Sequence, residues 1–271
     1  MYDLTLITLT GDRPEAFALT QQYMRRALGM HRVRHGYEPK VNWIVVDDGE
    51  DPAMFAEFCP ESAEIIRLEP RPGENTMVRN LTAALDAAQR STRKISGKVL
   101  IIEDDDWYDE LYVVAYSRLL DEADIVGENR AIYYNVASRE FMRCGNVEHA
   151  SLCQTGFRAC LIPFFLKILR EQPENPFIDI PFWIGARIEK SARMTMVTNR
   201  YWSVGIKGMP GRPGIGSGHR PRQCHGQQWT PDPTLLYLAQ LIGAKAADNY
   251  AAYFNEGKND GINKDPLVER A

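Results

Sequence analysis

The sequence lacks any apolar run approaching the ~20 residues that cross a bilayer. Its first residues also lack the basic region, apolar stretch and cleavage site of a secretory signal, so we expect a cytoplasmic protein with no membrane span. Cysteine is scarce, with five residues and no CxxC pair, and an odd count argues against a disulfide framework. The thiols are therefore expected to be reduced.

An excess of positive charge is also missing. The chain has 32 Lys and Arg against 36 Asp and Glu, a formal charge of −4, so it has no global attraction to nucleic acid. Two local basic clusters remain. The first comprises Arg25, Arg26, His31, Arg32, Arg34, His35 and Lys40, and the second comprises Lys207, Arg212, His219, Arg220, Arg222 and His225.

The order of apolar patterns predicts an α/β fold. Strand patterns at 3–10, 41–46, 63–68 and 98–102 alternate with helical patterns at 15–28, 76–89 and 110–123. Further strands are expected at 131–139 and 193–197, and further helices at 161–170, 182–191 and 235–254. Strands that alternate with helices favour right-handed crossovers and a mostly parallel sheet covered by helices on both faces.

The strand pattern at 98–102 ends in four consecutive acids, Glu103 to Asp106. Carboxylates this close are tolerated only when they are exposed, paired with bases or bound to a cation. Oxygen ligands suit Mg²⁺ or Mn²⁺, particularly beside a diphosphate. The alternative is an acidic loop that begins the next helix.

Two other strand patterns also end in polar residues, at Thr10-Gly11-Asp12-Arg13 and at Asp47-Asp48-Gly49. In parallel sheets, ligands bind beyond the carboxyl ends of the strands. The three strand ends are therefore expected to face one crevice.

These motifs together resemble the GT-A nucleotide-sugar glycosyltransferases, most closely glycosyltransferase family 2. The resemblance is carried by Thr8 to Pro14, Val46 to Gly49, Met77 to Asn80, and Glu103 to Tyr108 in the place of the family's DxD motif. It implies a Rossmann-like, mostly parallel central sheet flanked by helices. It also implies one catalytic domain at 1–254, with a nucleotide-sugar-binding half at 1–125 and an acceptor-binding half at 126–254. A polar tail follows at 255–271.

The resemblance also implies roles for individual residues. The first strand end would line the nucleotide pocket, Asp47 or Asp48 would bind the base, typically uracil, and Asp104 would meet the ribose. Asp105 would bind the Mn²⁺ or Mg²⁺ that bridges the diphosphate, although both Glu103-x-Asp105 and Asp104-x-Asp106 fit a DxD pattern. Arg79 is either a fixed positive charge of the site or a helix-surface arginine. The donor-binding set is Thr10, Asp12, Arg13, Asp47, Asp48, Arg79 and Asp104, and the metal set is Asp105, Asp106 and His219.

An inverting transferase needs a base for the acceptor hydroxyl. Asp179 is the candidate because it precedes a helix, as the family's base does, and aromatic neighbours could raise its pKa. The alternative is a helix cap. The glycine-rich and proline-rich run at 204–222 is expected to be a loop, able to act as a mobile cationic flap over the diphosphate.

The sequence thus predicts a metal-dependent transfer of a sugar from a nucleotide diphosphate, of the UDP type, to an acceptor hydroxyl. One acceptor hypothesis is a hydroxymethylated DNA base, since the two basic clusters could flank the crevice and hold phosphates beside it. The alternatives are a nucleotidyltransferase, which attacks the α-phosphate, and a noncatalytic protein whose crevice binds a metal or nucleotide.

Overall fold

The computed structural model describes residues 3–71, 73–91, 97–212 and 228–254. The predicted tail at 255–271, His219, and the part of the predicted flap at 213–222 lie outside these residues. Twelve strands occur in the described chain: β1 (Leu4–Thr10), β2 (Val41–Asp47), β3 (Ala63–Arg67), β4 (Lys98–Ile101), β5 (Trp107–Tyr108), β6 (Ile125–Glu128), β7 (Arg130–Asn135), β8 (Glu140–Gly145), β9 (Thr155–Arg158), β10 (Met194–Val197), β11 (Ser203–Lys207) and β12 (Thr230–Pro231). The α-helices are α1 (Pro14–His35), α2 (Met77–Ser91), α3 (Tyr112–Glu122), α4 (Ile162–Glu171), α5 (Asp179–Lys190), α6 (Leu236–Ile242) and α7 (Ala244–Asp248).

Seven strands form the central sheet, in the order β10-β6-β9-β4-β1-β2-β3. All neighbours pair in parallel except β9, which is antiparallel to both β4 and β6. Helices cover both faces of the sheet. The predicted α/β class with a mostly parallel sheet flanked by helices is confirmed.

Two apolar clusters explain why this sheet is buried on both faces. In β1, Leu4 and Leu6 belong to a cluster that includes side chains of α1 and α3, whereas Ile7 belongs to one that includes α2, α4 and α5. The same alternation holds in β2, where Trp43 and Ile44 lie in different clusters. Successive strand side chains point to opposite faces, so an almost continuous apolar strand needs helices on both sides.

The second sheet was not predicted. It has five strands in the order β12-β8-β7-β11-β5. Strand β11 overlaps the run at 204–222 that the sequence predicts to be a loop, and the loop prediction is wrong for residues 204–207. Gly205 is needed in β11 because a Cβ there would approach the ring of Tyr133 to 2.5 Å. The glycine therefore permits close strand packing.

Three other predicted boundaries differ. Helix α1 continues to His35, beyond the predicted end at 28. The single helix predicted at 235–254 is divided into α6 and α7 because Gly243 between them has a φ of 86°, which breaks the helix. The strands β6 and β9 lie in segments where no strand was predicted.

The first basic cluster lies far from the carboxyl ends of the strands. Helix α1 begins at Pro14, directly after the end of β1, and its 22 residues extend about 33 Å. Arg32, Arg34 and His35 are in its last turn, near the opposite edge of the sheet. The expectation that this cluster flanks the crevice is therefore wrong.

No helix in the described chain is both long and apolar enough to cross a membrane.

Candidate functional site

Strand pairing brings the polar strand ends together. Thr10 is the register partner of Asp47, and the backbone N–H of Asp48 donates to the carbonyl of Thr10 at 3.2 Å. The Thr10 hydroxyl donates to Oδ2 of Asp104 at 2.7 Å. The ends of β1 and β2 and the acidic loop after β4 therefore share one edge of the sheet.

Arg13 binds two of the four consecutive acids. Its Nη2 lies 2.9 Å from Asp104 Oδ1, and its Nη1 lies 2.9 Å from Asp105 Oδ2. Both carboxylates are buried, whereas 17% of the Arg13 side chain is exposed. Burial raises the pKa of Asp104 to about 6 even though Arg13 opposes the shift. For Arg13, burial lowers the pKa, but the carboxylates outweigh it, so the guanidinium stays charged.

Lys207 pairs with three acids of the same loop. Its Nζ lies 3.1 Å from Glu103 Oε2, 3.0 Å from Asp105 Oδ1 and 2.9 Å from Asp106 Oδ1. Only 6% of the lysine side chain is exposed. Burial lowers the Lys207 pKa, but the three carboxylates more than reverse this and raise it well above its usual value. The side chain is therefore a buried ammonium group.

Asp106 also fixes the acidic loop to the second sheet. Its Oδ1 accepts the backbone N–H of Ile206 at 3.0 Å, in the same strand as Lys207. Burial raises the pKa of Asp106 well above its usual value, although Lys207 opposes this. The thiol of Cys153 lies beside this carboxylate, and burial raises the pKa of the thiol as well. Asp106 thus links the acidic loop to strand β11 through a backbone hydrogen bond, in addition to its ion pair with Lys207.

Asp48 is buried and binds two arginines. Arg79 Nη2 lies 3.0 Å from its Oδ2, and Arg212 forms a close ion pair with its Oδ1. Burial would raise the pKa of Asp48, but the hydrogen bond from Arg212 and further polar contacts lower it. Arg79 reaches Asp48 from the first turn of α2, and 25% of its side chain is exposed.

Two predicted donor-binding acids hold loops in place. Asp47 accepts the backbone N–H groups of Gly49, at 2.9 Å, and Ala53, at 2.6 Å, and it pairs with Arg67. The Oδ1 of Asp12 accepts the backbone N–H of Glu50 at 2.7 Å. These bonds order the loop after β2, so both carboxylates have structural partners before any ligand is considered.

Asp179 is the first residue of α5, and the cap position belongs to Ile178. Its Oδ2 lies 3.8 Å from Nε2 of His149, and 15% of its side chain is exposed. Burial raises the pKa of Asp179, His149 opposes the shift, and the negative charge of Glu103 adds to it.

Sequence reasoning missed the counter-ions of the acids. Clustered carboxylates need exposure, bases or a cation, and the structure supplies two bases to the acidic loop, Lys207 and Arg13, and a further one, Arg212, to Asp48. The available signal was a single lysine at the end of the short apolar run Val204-Gly205-Ile206. A charged residue there requires a buried partner if the run is a strand.

Comparisons with known proteins give distant structural similarities. No protein-family model matches the chain, and no curated protein matches it in sequence. The mannosyltransferase PcManGT from Pyrobaculum calidifontis, in complex with GDP-Man and Mn²⁺, has a TM-score of 0.45 and 12% identity over 77% of this chain and 57% of that one. A nucleoside-diphosphate-sugar pyrophosphorylase from Vibrio cholerae RC9 has a TM-score of 0.44 and 10% identity over 73% and 93%. A proposed nucleotide-diphospho-sugar transferase from Desulfovibrio desulfuricans G20 has a TM-score of 0.41 and 8% identity over 76% and 82%. These values are too low to assign the chain to a family.

The predicted metal ligands that the structure describes, Asp105 and Asp106, do not form part of a set that suits Mg²⁺ or Mn²⁺; the third, His219, lies outside the described residues. Within the described residues, one group of potential ligand atoms clusters within 4.8 Å, and it comprises Glu103, Asp106 and Cys153. These hard cations prefer oxygen over sulfur. The ammonium of Lys207 already lies at hydrogen-bond distance from both of the carboxylates. An ion at this position would therefore have to displace Lys207 or accept a positive neighbour.

Proposed function

We propose that this protein transfers a sugar from a nucleotide diphosphate to an acceptor hydroxyl. The observation that supports this most directly is the convergence of Arg13, Arg79 and Arg212 around the end of β1. Arg79 and Arg212 share Asp48. A Cβ at Gly11 would overlap the guanidinium of Arg212, so the backbone here lies directly beneath this cation.

This arrangement suits a diphosphate. Three guanidinium groups at one strand-end edge can donate several hydrogen bonds to phosphate oxygens, and each retains partial exposure, between 17% and 27% of its side chain. The negative charge of a nucleotide diphosphate grows as the bond to the sugar breaks, so fixed positive charges stabilise the transition state. Glycine at position 11 allows the Arg212 guanidinium to lie directly against the backbone at the end of β1.

Within this proposal the donor is a UDP-sugar. Asp48 or Asp47 accepts from the uracil, and Asp104, beside Thr10, meets the ribose. A divalent cation at Asp105 and Asp106 stays a prediction. The ion pairs of both carboxylates with Lys207 weigh against it.

Asp179 is proposed as the base that deprotonates the acceptor during an inverting transfer. A carboxylate whose pKa is raised by burial is better suited to accept a proton near neutral pH. The acceptor-binding half is then 126–254, and the acceptor is a compound with a free hydroxyl group. A hydroxymethylated DNA base remains one such acceptor, but of the basic-cluster residues that the structure describes, only Lys207 and Arg212 lie near the strand-end edge.

The experiment is to incubate the protein with UDP-sugars and GDP-sugars and to measure release of the nucleoside diphosphate, with water as the default acceptor. We expect release from one donor class and its loss in Arg79→Ala. Arg170→Ala is the matched control, because Arg170 is 60% exposed and pairs with Asp86 on the helical surface.

Either of two results contradicts the proposal. One is the absence of turnover with every nucleotide sugar. The other is release of pyrophosphate from a nucleoside triphosphate and a sugar 1-phosphate, which identifies a nucleotidyltransferase instead.

A further inference from the structure

The ammonium of Lys207 has a complete set of partners. A lysine ammonium group carries three N–H donors, and Nζ lies within 3.1 Å of one oxygen from each of Glu103, Asp105 and Asp106. Ile206, in the same strand, binds Asp106 through its backbone N–H. The lysine side chain and the backbone of the residue before it are therefore both bound to the acidic loop.

A divalent cation would compete for the same oxygens. Mg²⁺ and similar hard cations need oxygen ligands at about 2.1 Å, and a second cation nearby repels them. With Lys207 present, Asp105 is fully engaged in ion pairs, because its Oδ1 binds the lysine and its Oδ2 binds Arg13. The chain thus supplies internally the positive charge that the acidic loop requires.

The positive charge for a diphosphate can also come from the chain. Arg13 contacts the acids from the side of β1, and Gly211 lies against Arg13, since a Cβ there would come within 2.8 Å of Arg13 Cγ. Arg212 follows directly and binds Asp48 together with Arg79. Three guanidinium groups thus lie beside the acidic loop to which Lys207 is paired.

We propose that the ammonium of Lys207 takes the place of a divalent metal, so that the nucleoside diphosphate of the donor binds without one. This inference rests on the proposed function. Lys207 is a positioning residue, because all three of its donors are used by carboxylates. The guanidinium groups of Arg13, Arg79 and Arg212 make the contacts to the phosphates.

The first measurement uses the wild-type protein and Mn²⁺ alone, with no nucleotide. Free Mn²⁺ is counted by its electron paramagnetic resonance signal as protein is added. We expect no stoichiometric loss of signal for the wild type. A stoichiometric loss that disappears in Asp105→Ala overturns the inference, whatever the protein does with nucleotides.

The second measurement compares the unfolding midpoint with UDP and with GDP, each in EDTA and in Mn²⁺. A ligand that binds only the folded state raises the midpoint by mass action. We expect the same rise in both conditions. A rise that vanishes in EDTA and returns with Mn²⁺ contradicts the inference. If neither nucleotide raises the midpoint, the proposed function fails, and the Mn²⁺ titration still decides the role of Lys207.

The variant Lys207→Met removes the ammonium and keeps an unbranched side chain that reaches as far as Cε. The carboxylates of Glu103, Asp105 and Asp106 then lack the ammonium group. We therefore expect the variant to gain stoichiometric Mn²⁺ binding, and its nucleotide-induced rise in unfolding midpoint to depend on Mn²⁺. Lys98→Met is the matched control, since Lys98 is also partly buried and ion-paired but lies at the opposite end of β4. If Lys207→Met behaves like the control with Mn²⁺, the inference is wrong. If the variant does not fold, the two wild-type measurements decide.

Discussion

The Nζ atom of Lys207 lies 2.9 Å from Oδ1 of Asp106, a residue 101 positions earlier in the chain. This ion pair joins the end of β11 in the second sheet to the acidic loop that follows β4 in the central sheet. The two sheets therefore meet at the candidate site. The loop with the highest density of negative charge is also the point at which the two parts of the structure are joined.

Replacing Lys207 should be costly for stability. Removing one partner of a buried ion pair leaves uncompensated charge and typically costs about 3–5 kcal/mol. We expect the free energy of unfolding of Lys207→Met, measured in urea at neutral pH, to fall by about this amount. Lys167→Met, at a site where the side chain is 55% exposed, should lose less than about 1 kcal/mol. Equal losses in the two variants would show that the Lys207 network adds nothing beyond a surface pair.

Gly211 should control the position of Arg212. Its φ is 105°, and a Cβ there would collide with the carbonyl oxygen of Asp12. Gly211→Ala should therefore push the segment away from β1 and separate Arg212 from Asp48. We expect weaker binding of nucleoside diphosphates by isothermal titration calorimetry. Gly145→Ala is the control, since a Cβ there meets no atom within 4 Å. Unchanged affinity in Gly211→Ala would remove Arg212 from the proposed diphosphate site.

Glu128 should make the stability of the protein depend on pH. It is fully buried, and burial raises its pKa from 4.5 to about 7, although hydrogen bonds from Trp202, Ser203 and Tyr116 oppose the shift. Between these values the folded state binds more protons than the unfolded state, so stability decreases as pH rises from 4.5 to about 7. This difference in pKa between the unfolded and folded states corresponds to a change of about 3 kcal/mol in the free energy of unfolding.

The variant Glu128→Gln tests this dependence, because its amide is isosteric and uncharged. We expect it to be more stable than the wild type above pH 7 and to lose the Glu128 part of the pH dependence, measured by urea unfolding at several pH values. Glu122→Gln, on the exposed surface of α3, is the control and should follow the wild-type profile. Parallel profiles for Glu128→Gln and the wild type would contradict the assignment.

Asp179→Asn should separate chemistry from donor binding. Loss of a general base typically lowers the rate by about 10²-fold to 10⁴-fold. We expect release of the nucleoside diphosphate from a nucleotide sugar to fall by such a factor, with the nucleotide-induced rise of the midpoint unchanged. Glu148→Gln is the control, because Glu148 is 56% exposed and pairs with Arg187. A full rate in Asp179→Asn would leave the site without its proposed base.

The central sheet could be predicted because its signals are local. The strands β1, β2 and β4 are apolar runs that end in polar residues, and the helices between them have apolar residues at helical spacing. Strand β9 was not predictable in this way. It has only four residues, and it inserts antiparallel between β4 and β6 through pairing that depends on distant segments. Strand β11 was hidden by its glycine and by its neighbours in a glycine-rich run.

For the candidate site, the sequence could predict the edge of the sheet at which the acids lie, but not their basic partners. The alternation of elements placed Asp48 and Asp104 at the same edge, since parallel strands end together. Two basic partners of the site were not predictable. Arg212 pairs with Asp48 across 164 positions of the chain, and Lys207 lies more than 100 positions after Asp105 and Asp106, with which it pairs. Ion pairs of this kind follow from tertiary packing and leave no periodic signal in the sequence.

The most direct measurement of the central claim is the binding of UDP and GDP to the wild type and to Arg79→Ala by isothermal titration calorimetry, with Arg170→Ala as the control. Arg79 reaches Asp48 from α2, so it belongs to the proposed diphosphate site and not to the acidic loop. We predict stoichiometric binding of one nucleoside diphosphate to the wild type and to Arg170→Ala, and much weaker binding to Arg79→Ala. Absence of binding to the wild type, or equal binding to all three proteins, would contradict the assignment of this strand-end edge as a nucleotide-diphosphate site.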